Sequence, residues 1–121
     1  MTFRKVLGAK LHRLTVTDAN LDYEGSITIA EDLLEATGII EYESVHIWNV
    51  SRGSRLETYA MKGKRGSGEV VVNGAGAHLV GKGDIVIVAT YKFISEENTN
   101  NYTPIKVFVD SKNKILSIAK S

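Results

Sequence analysis

The sequence predicts a mostly β fold, a small barrel with one or two short helices. Three observations lead there. Short apolar runs alternate with Gly, Asn, Asp and Ser along the chain, the pattern of strands bounded by turns. The β-branched run Ile85-Val-Ile-Val-Ala89 reads as a strand buried on both faces. The 121 residues make one domain, and closing the sheet on itself protects many short strands from exposed edges.

Strands are expected at residues 3–17, 26–30, 44–50, 56–62, 68–73, 84–94, 105–109 and 115–119. One helix is expected around 30–37. Glu31 and Asp32 stand in its first turn, where the helix dipole favours carboxylates, and Leu33, Leu34 and Ala36 give it an apolar stripe. Gly38 is placed to end it. Residues 75–79 have room for a single helical turn. Ser51-Arg-Gly-Ser54, Lys62-Gly-Lys-Arg-Gly-Ser-Gly68 and Ser111-Lys-Asn-Lys114 read as turns.

Composition removes several chemistries. Without cysteine there is no disulfide, thiol nucleophile, iron–sulfur cluster or Cys-type zinc site. His12, His46 and His78 lie too far apart for a His-x₃₋₅-His metal motif. Fifteen Lys and Arg against fourteen Asp and Glu give a net charge of +1, so no general field draws the chain to nucleic acid or membrane. The first ten residues lack the apolar core of a secretory signal, and no apolar run approaches bilayer length. The sequons at Asn49 and Asn101 read as chance. The cytoplasm is the expected location.

Four segments are candidates for chemistry. Asn73-Gly-Ala-Gly-Ala-His78 is neither a P-loop nor a dinucleotide fingerprint, but its backbone is open to close approach and its N–H groups could hold an anion. A plain turn is the simpler reading. Lys62, Lys64 and Arg65 are the one dense basic cluster, with a solvated loop as the simpler reading. In Asp22-Tyr-Glu-Gly-Ser-Ile-Thr28, Gly25 permits a backbone conformation closed to other residues, and Ser26 follows with a hydroxyl. Alone, this pair is a turn. Arg55 and Tyr59 lie four apart on one face of a strand, with Thr58 on the other. They could hold a carboxylate beside a proton donor, or be a surface pair.

Taken in order, Gly8-Ala-Lys-Leu-His-Arg13, Tyr23-Glu-Gly-Ser26, Ile47-Trp-Asn-Val50, Arg55, Thr58-Tyr59-Ala60, Arg65-Gly-Ser67, Asn73-Gly-Ala-Gly-Ala-His78 and Gly83-Asp-Ile-Val86 span about three-quarters of the chain. As an ordered set they resemble the pyruvoyl-dependent aspartate 1-decarboxylase family. The resemblance implies a six-stranded double-psi β-barrel and a homotetramer with sites at subunit interfaces. It implies a carboxy-lyase that converts L-aspartate to β-alanine and CO₂ for pantothenate and coenzyme A synthesis. It also implies a zymogen that cuts itself between Gly25 and Ser26, within Glu24-Gly25-Ser26, giving a β-chain 1–25 and an α-chain 26–121. Thr58 would assist as a hydrogen-bonding group. Ser26 would become a pyruvoyl group that forms a Schiff base with aspartate, with no metal and no PLP.

Under the same resemblance Tyr59 protonates the product carbanion, while Arg55 and Lys10 meet substrate carboxylates. Thr58, Asn73 and the backbone of Gly74, Ala75 and Gly76 complete substrate binding. Gly76 stands where many relatives carry Ala, which touches local rigidity and not a backbone contact. A maturation partner is compatible with this reading; nucleic acid and membrane are not expected. Two other readings fit the strand pattern: a non-catalytic β-barrel binding module, and an uncleaved, inactive relative. Residues from about 92 onward carry no recognisable motif and are expected to close the barrel edge or pack between subunits.

Overall fold

A computed structural model describes residues 1–120. The elements run β1 (Phe3–Thr15), β2 (Asp18–Asn20), β3 (Ser26–Ala30), α1 (Glu31–Thr37), β4 (Ser44–Asn49), β5 (Arg55–Gly63), β6 (Val70–Asn73), a 3₁₀ turn (Gly74–His78), β7 (Ile85–Ser95), a second 3₁₀ turn (Glu96–Asn98), β8 (Ile105–Val109) and β9 (Ile115–Ala119). All nine strands join one sheet in the order β2-β6-β3-β5-β4-β7-β1-β8-β9. Parallel pairs (β1–β8, β2–β6, β3–β5) mix with antiparallel ones. The fold is mostly β and consistent with a double-psi barrel, with nine strands where the resemblance implied six.

The count differs at identifiable places. The expected strand 3–17 breaks after Thr15, because Val16 and Thr17 turn their N–H groups to the Asp84 and Val70 carbonyls at 2.9 and 2.8 Å. The chain then resumes as the short edge strand β2 beside β6. Those two bonds also draw the flanks of the sheet together around a single core. Leu11, Leu14, Ile27, Ile29, Leu33, Ile47, Val70, Val72, Val86 and Val88 are fully buried there. A core dominated by Val and Ile suits a pleated, tightly packed surface.

In the C-terminal quarter β8 pairs with β1 in parallel, and β9 is the outermost strand, so this segment extends the sheet and forms its edge. Asn113, in the turn between them, is 1% exposed and adopts a left-handed φ of 61°. Its Nδ2 donates to the Thr15 and Gly68 carbonyls and its Oδ1 accepts from the Thr15 N–H, all at 2.8 Å. A residue that reads as an ordinary turn Asn thus fastens three segments.

The helix follows its signals, ending at Gly38 in the left-handed region with φ of 79°. The run Ile85–Ala89 does not: Val86 and Val88 are buried, but Ile85 and Ile87 are half-buried. Both neighbours of β7, β1 and β4, are antiparallel. The outer face of such a sheet is covered only by its own side chains and those of adjacent strands, here Trp48 opposite Ile87.

Candidate functional site

Residues 21–25 form an exposed turn, and the chain dives into β3 at Ser26, which is 6% exposed. Ser26 pairs in antiparallel register with Asn73 of β6. That pairing puts the two side chains on one face, and Asn73 Nδ2 donates to Ser26 Oγ at 3.2 Å and to Thr28 Oγ1 at 3.3 Å. A buried hydroxyl is therefore held by a named partner at the boundary between an exposed loop and a core strand.

Gly74 fixes the loop above it. Its φ is +73°, and a Cβ there would lie 2.6 Å from Gly25 Cα and 2.7 Å from Gly25 N. Only glycine fits both that conformation and that approach. Gly25 itself corrects an expectation. It is not among the residues with positive φ, and a Cβ on it would come no closer than 4.0 Å, to the Asn73 carbonyl. The conformational demand sits on Gly74; the backbone of Gly25 is what it packs against.

On the other side of β3 lies β5, with Ile27 in parallel register with Ala60. The paired run starts there; Ser26 and Tyr59 are the residues just before it on the two strands, each on the face opposite to Ile27 and Ala60. The Tyr59 ring stacks on Tyr42 with centroids 6.0 Å apart. Thr58 is half-buried opposite Val45 of β4, on the inward side as its alternation requires. Among the described residues Thr58 makes no side-chain hydrogen bond. Arg55 is exposed on the outer face, its guanidinium 5.1 Å from the centre of the Trp48 ring. That contact holds the fork over a flat surface and leaves its N–H groups free to meet a carboxylate.

Lys10 is elsewhere. It lies on β1 opposite Ala89 of β7, and β7 and β4 separate it from β5. Two further residues mark this flank. His12 has a buried Nδ1 with no partner, and burial, then Lys10 and Arg13, push its pKa down. Arg13, at φ 64°, opens a bulge where β1 slips register against β7. Sequence reading had singled out neither Trp48 nor His12 as a site residue. Their positions inside Ile47-Trp-Asn-Val50 and Gly8-Ala-Lys-Leu-His-Arg13 were the available signal.

The Gly-rich stretch forms the 3₁₀ turn Gly74–His78 directly after Asn73. Gly74 is buried, Ala75 exposed and Gly76 half-buried. The first N–H groups of such a turn have no partner within it and face outward. At Gly76 a Cβ would meet Leu56 Cδ1 at 2.9 Å and Val72 Cγ1 at 3.1 Å, so its missing methyl is matched by neighbouring apolar side chains. Glu24 is exposed.

Two of the three cations in the basic cluster are paired. Lys62 pairs with Glu31 at 3.4 Å, and Arg65 pairs with Glu31 and Glu35 of α1. These pairs tie two of the cluster's cations to α1. They also border a cleft of about 490 Å³ beside α1, lined by Leu34, Ile39 and Ile40 but by none of the expected site residues. No helix among the described residues is long and apolar enough to cross a membrane.

Comparison with known proteins agrees with this geometry. The profile of the family described as "Aspartate decarboxylase" matches residues 1–116. The chain is 51% identical over 118 residues to the "Aspartate 1-decarboxylase" of Legionella pneumophila (strain Lens), covering 98% of this chain and 89% of that one. It is 50% identical over 113 residues to the protein of the same name from Myxococcus xanthus (strain DK1622), covering 93% and 87%. For Rhodopirellula baltica the figures are again 50% over 113 residues, with 93% and 72% covered. The chain belongs to the aspartate decarboxylase family.

Proposed function

We propose that this member of the aspartate decarboxylase family cuts itself between Gly25 and Ser26 and then converts L-aspartate to β-alanine and CO₂. The observation that carries the reading is the Ser26 corner: a buried hydroxyl, bonded to the Asn73 amide, at the end of a loop packed on Gly74. Ser26 Oγ attacks the Gly25 carbonyl carbon, the C–N bond breaks, and the hydroxyl proton passes to the freed nitrogen, leaving an ester. Elimination across Cα–Cβ releases the Gly25 carboxylate. Water then replaces the nitrogen of the remaining dehydroalanine, which leaves as ammonia, and a pyruvoyl group caps residues 26–121. The uncrowded Gly25 carbonyl and Asn73 assist the first step, with Glu24 in the segment that is cut; Thr58, on the inward side of β5, is the hydroxyl that the family resemblance adds. The β-chain 1–25 stays in place afterwards, because β1 pairs with both β7 and β8 and buries Leu11 and Leu14.

The residues around Ser26 fit this group: the corner is buried and its polar atom already has a partner. The group supplies an electrophilic carbonyl for the substrate amine and an electron sink for loss of CO₂. Arg55 grips a carboxylate with its fork while Trp48 holds the guanidinium flat. Tyr59 gives a proton to Cα; its position one residue before the β3–β5 pairing, as Ser26 is on β3, supports this role. Asn73 and the N–H groups of Gly74, Ala75 and Gly76 orient the bound acid, and Lys10 supplies a second positive charge.

Within one copy these groups are spread over several strands. Arg55 and Tyr59 are four residues apart on a strand, about 13 Å at roughly 3.3 Å per residue. Lys10 is three strands from β5, about 14 Å at roughly 4.8 Å per strand. All three point outward, which supports a site completed by a neighbouring copy, in a homotetramer. The exposed aromatics Phe3, Tyr91 and Phe93 on β1 and β7 are surface suited to such an interface. The enzyme works in the cytoplasm, where β-alanine feeds pantothenate and coenzyme A synthesis, and a maturation partner can act on the exposed loop 21–25. CO₂ release from carboxyl-labelled L-aspartate tests the activity: wild type releases it and Ser26→Ala does not. Normal release by that variant would refute the mechanism.

A further inference from the structure

Glu57 stands on β5 midway between Arg55 and Tyr59, on the same outward face. It is opposite His46 of β4, and His46 Nε2 lies 3.2 Å from Glu57 Oε2. Ser44 Oγ donates to the same oxygen at 3.3 Å. From β7, Tyr91 meets the His46 ring edge-on with centroids 5.3 Å apart, and Lys5 of β1 places its ammonium 5.4 Å from the centre of the Tyr91 ring. Lys10 lies on the same cross-strand row as His46, with Ala89 between them. The pair is thus a carboxylate and an imidazole inserted among the cations that the reaction uses.

A negative charge there is a liability for a substrate with two carboxylates. Glu57 is two residues from Arg55, about 7 Å along a strand. An uncompensated carboxylate at that distance repels the substrate and competes for the guanidinium. Histidine is the side chain whose charge changes between about pH 5 and 8. When His46 is protonated the pair is neutral; when it is not, the pair carries −1.

We propose that the His46–Glu57 pair sets the affinity of the site for a dicarboxylic substrate through the charge it presents beside Arg55. This rests on the reading in which Arg55 holds aspartate. The effect falls on KM and not on the steps at Ser26 or Tyr59, so the pair acts as a positioning and specificity element.

The test is the KM for L-aspartate between pH 5.5 and 8.5, measured on fully cleaved wild type, His46→Gln, Glu57→Gln and the double variant, with cleavage checked by intact mass. Wild-type KM is expected to rise about three- to tenfold across this range, the size of a Coulomb term of one charge at ~7 Å in a largely aqueous site. His46→Gln should show the high-pH KM throughout. Glu57→Gln, which loses the negative charge but keeps His46, should show a KM no higher than the low-pH wild-type value at any pH, and the double variant, neutral throughout, should hold the low-pH wild-type KM. The His46→Gln penalty should shrink in salt. His12 and His78 remain in every variant, so a pH dependence arising from either would survive in all four proteins and overturn the proposal. A double variant that resembles His46→Gln would overturn it too. Arg55→Ala separates the two levels: KM unchanged in that variant removes the underlying reading, whereas a large rise in it with no pH effect in the pair variants removes only this proposal.

Discussion

The Ser26 corner and the cationic surface of β5 and β1 are built in opposite ways. Ser26 is buried, its hydroxyl is bonded to Asn73, and the loop before it is pinned by Gly74. Arg55 is exposed and Lys10 half-exposed, the two on different strands with β4 and β7 between. Under the proposed function the difference follows from timing: self-cleavage would draw on groups already preorganised in one chain, whereas substrate binding would follow assembly and could borrow its charges from a neighbour.

The largest effect expected is at Gly74. Ala there must adopt a left-handed φ, at a cost of about 1–2 kcal/mol, and its methyl would meet the Gly25 backbone at 2.6 Å. Gly74→Ala should therefore slow cleavage at least about tenfold, the equivalent of ~1.4 kcal/mol. Gly25→Ala, with no close contact, should fold normally and cleave with a smaller loss from crowding at the attacked carbonyl. Time courses on gels compare the two. Equal rates would break the assignment of the constraint to Gly74.

Arg55→Ala removes a charge-assisted fork worth about 1.5–3 kcal/mol, so kcat/KM should fall roughly 10- to 100-fold while cleavage proceeds. Co-expression sharpens the comparison further. Ser26→Ala and Arg55→Ala chains, each defective alone, should regain CO₂ release in mixed oligomers if Ser26 of one copy works with Arg55 of another. No recovery would place both in one chain.

His12 predicts a milder pH effect. Its pKa is depressed by burial first, then by Lys10 and Arg13. The stability of its neutral form is therefore complete above the ordinary histidine range and declines as pH falls toward the depressed value. Thermal melts of His12→Gln should lose part of the wild-type decline on acidification. The smallest change is expected for Gly76→Ala. The obstacles are the flexible end of Leu56 and, at 3.1 Å, Val72 Cγ1; adjustment of Leu56 costs about 0.5–1.5 kcal/mol and Val72 must give by a few tenths of an ångström, so a Tm drop of a few degrees with near-normal cleavage is expected.

Much of this was legible in the residues. Strand boundaries followed the apolar runs because turn residues punctuate them sharply, and α1 ended at Gly38 as its cap signal required. The period-two rule placed Arg55 and Tyr59 on one face and Thr58 on the other. What escaped was long-range. No local pattern tells that Asn113 fastens Thr15 and Gly68, that Gly74 and not Gly25 carries the positive φ, or that His46 meets Glu57. Each depends on which strands become neighbours, and the break after Thr15 depends on carbonyls more than fifty residues away.

The central claim is that this chain makes its own catalytic group at Ser26. Intact-mass analysis of purified, incubated protein tests it most directly. The account predicts two species, residues 1–25 with a normal carboxyl terminus and residues 26–121 with a terminus that lacks an amine. A single unmodified chain of 121 residues after prolonged incubation, with no CO₂ released from aspartate, would contradict it.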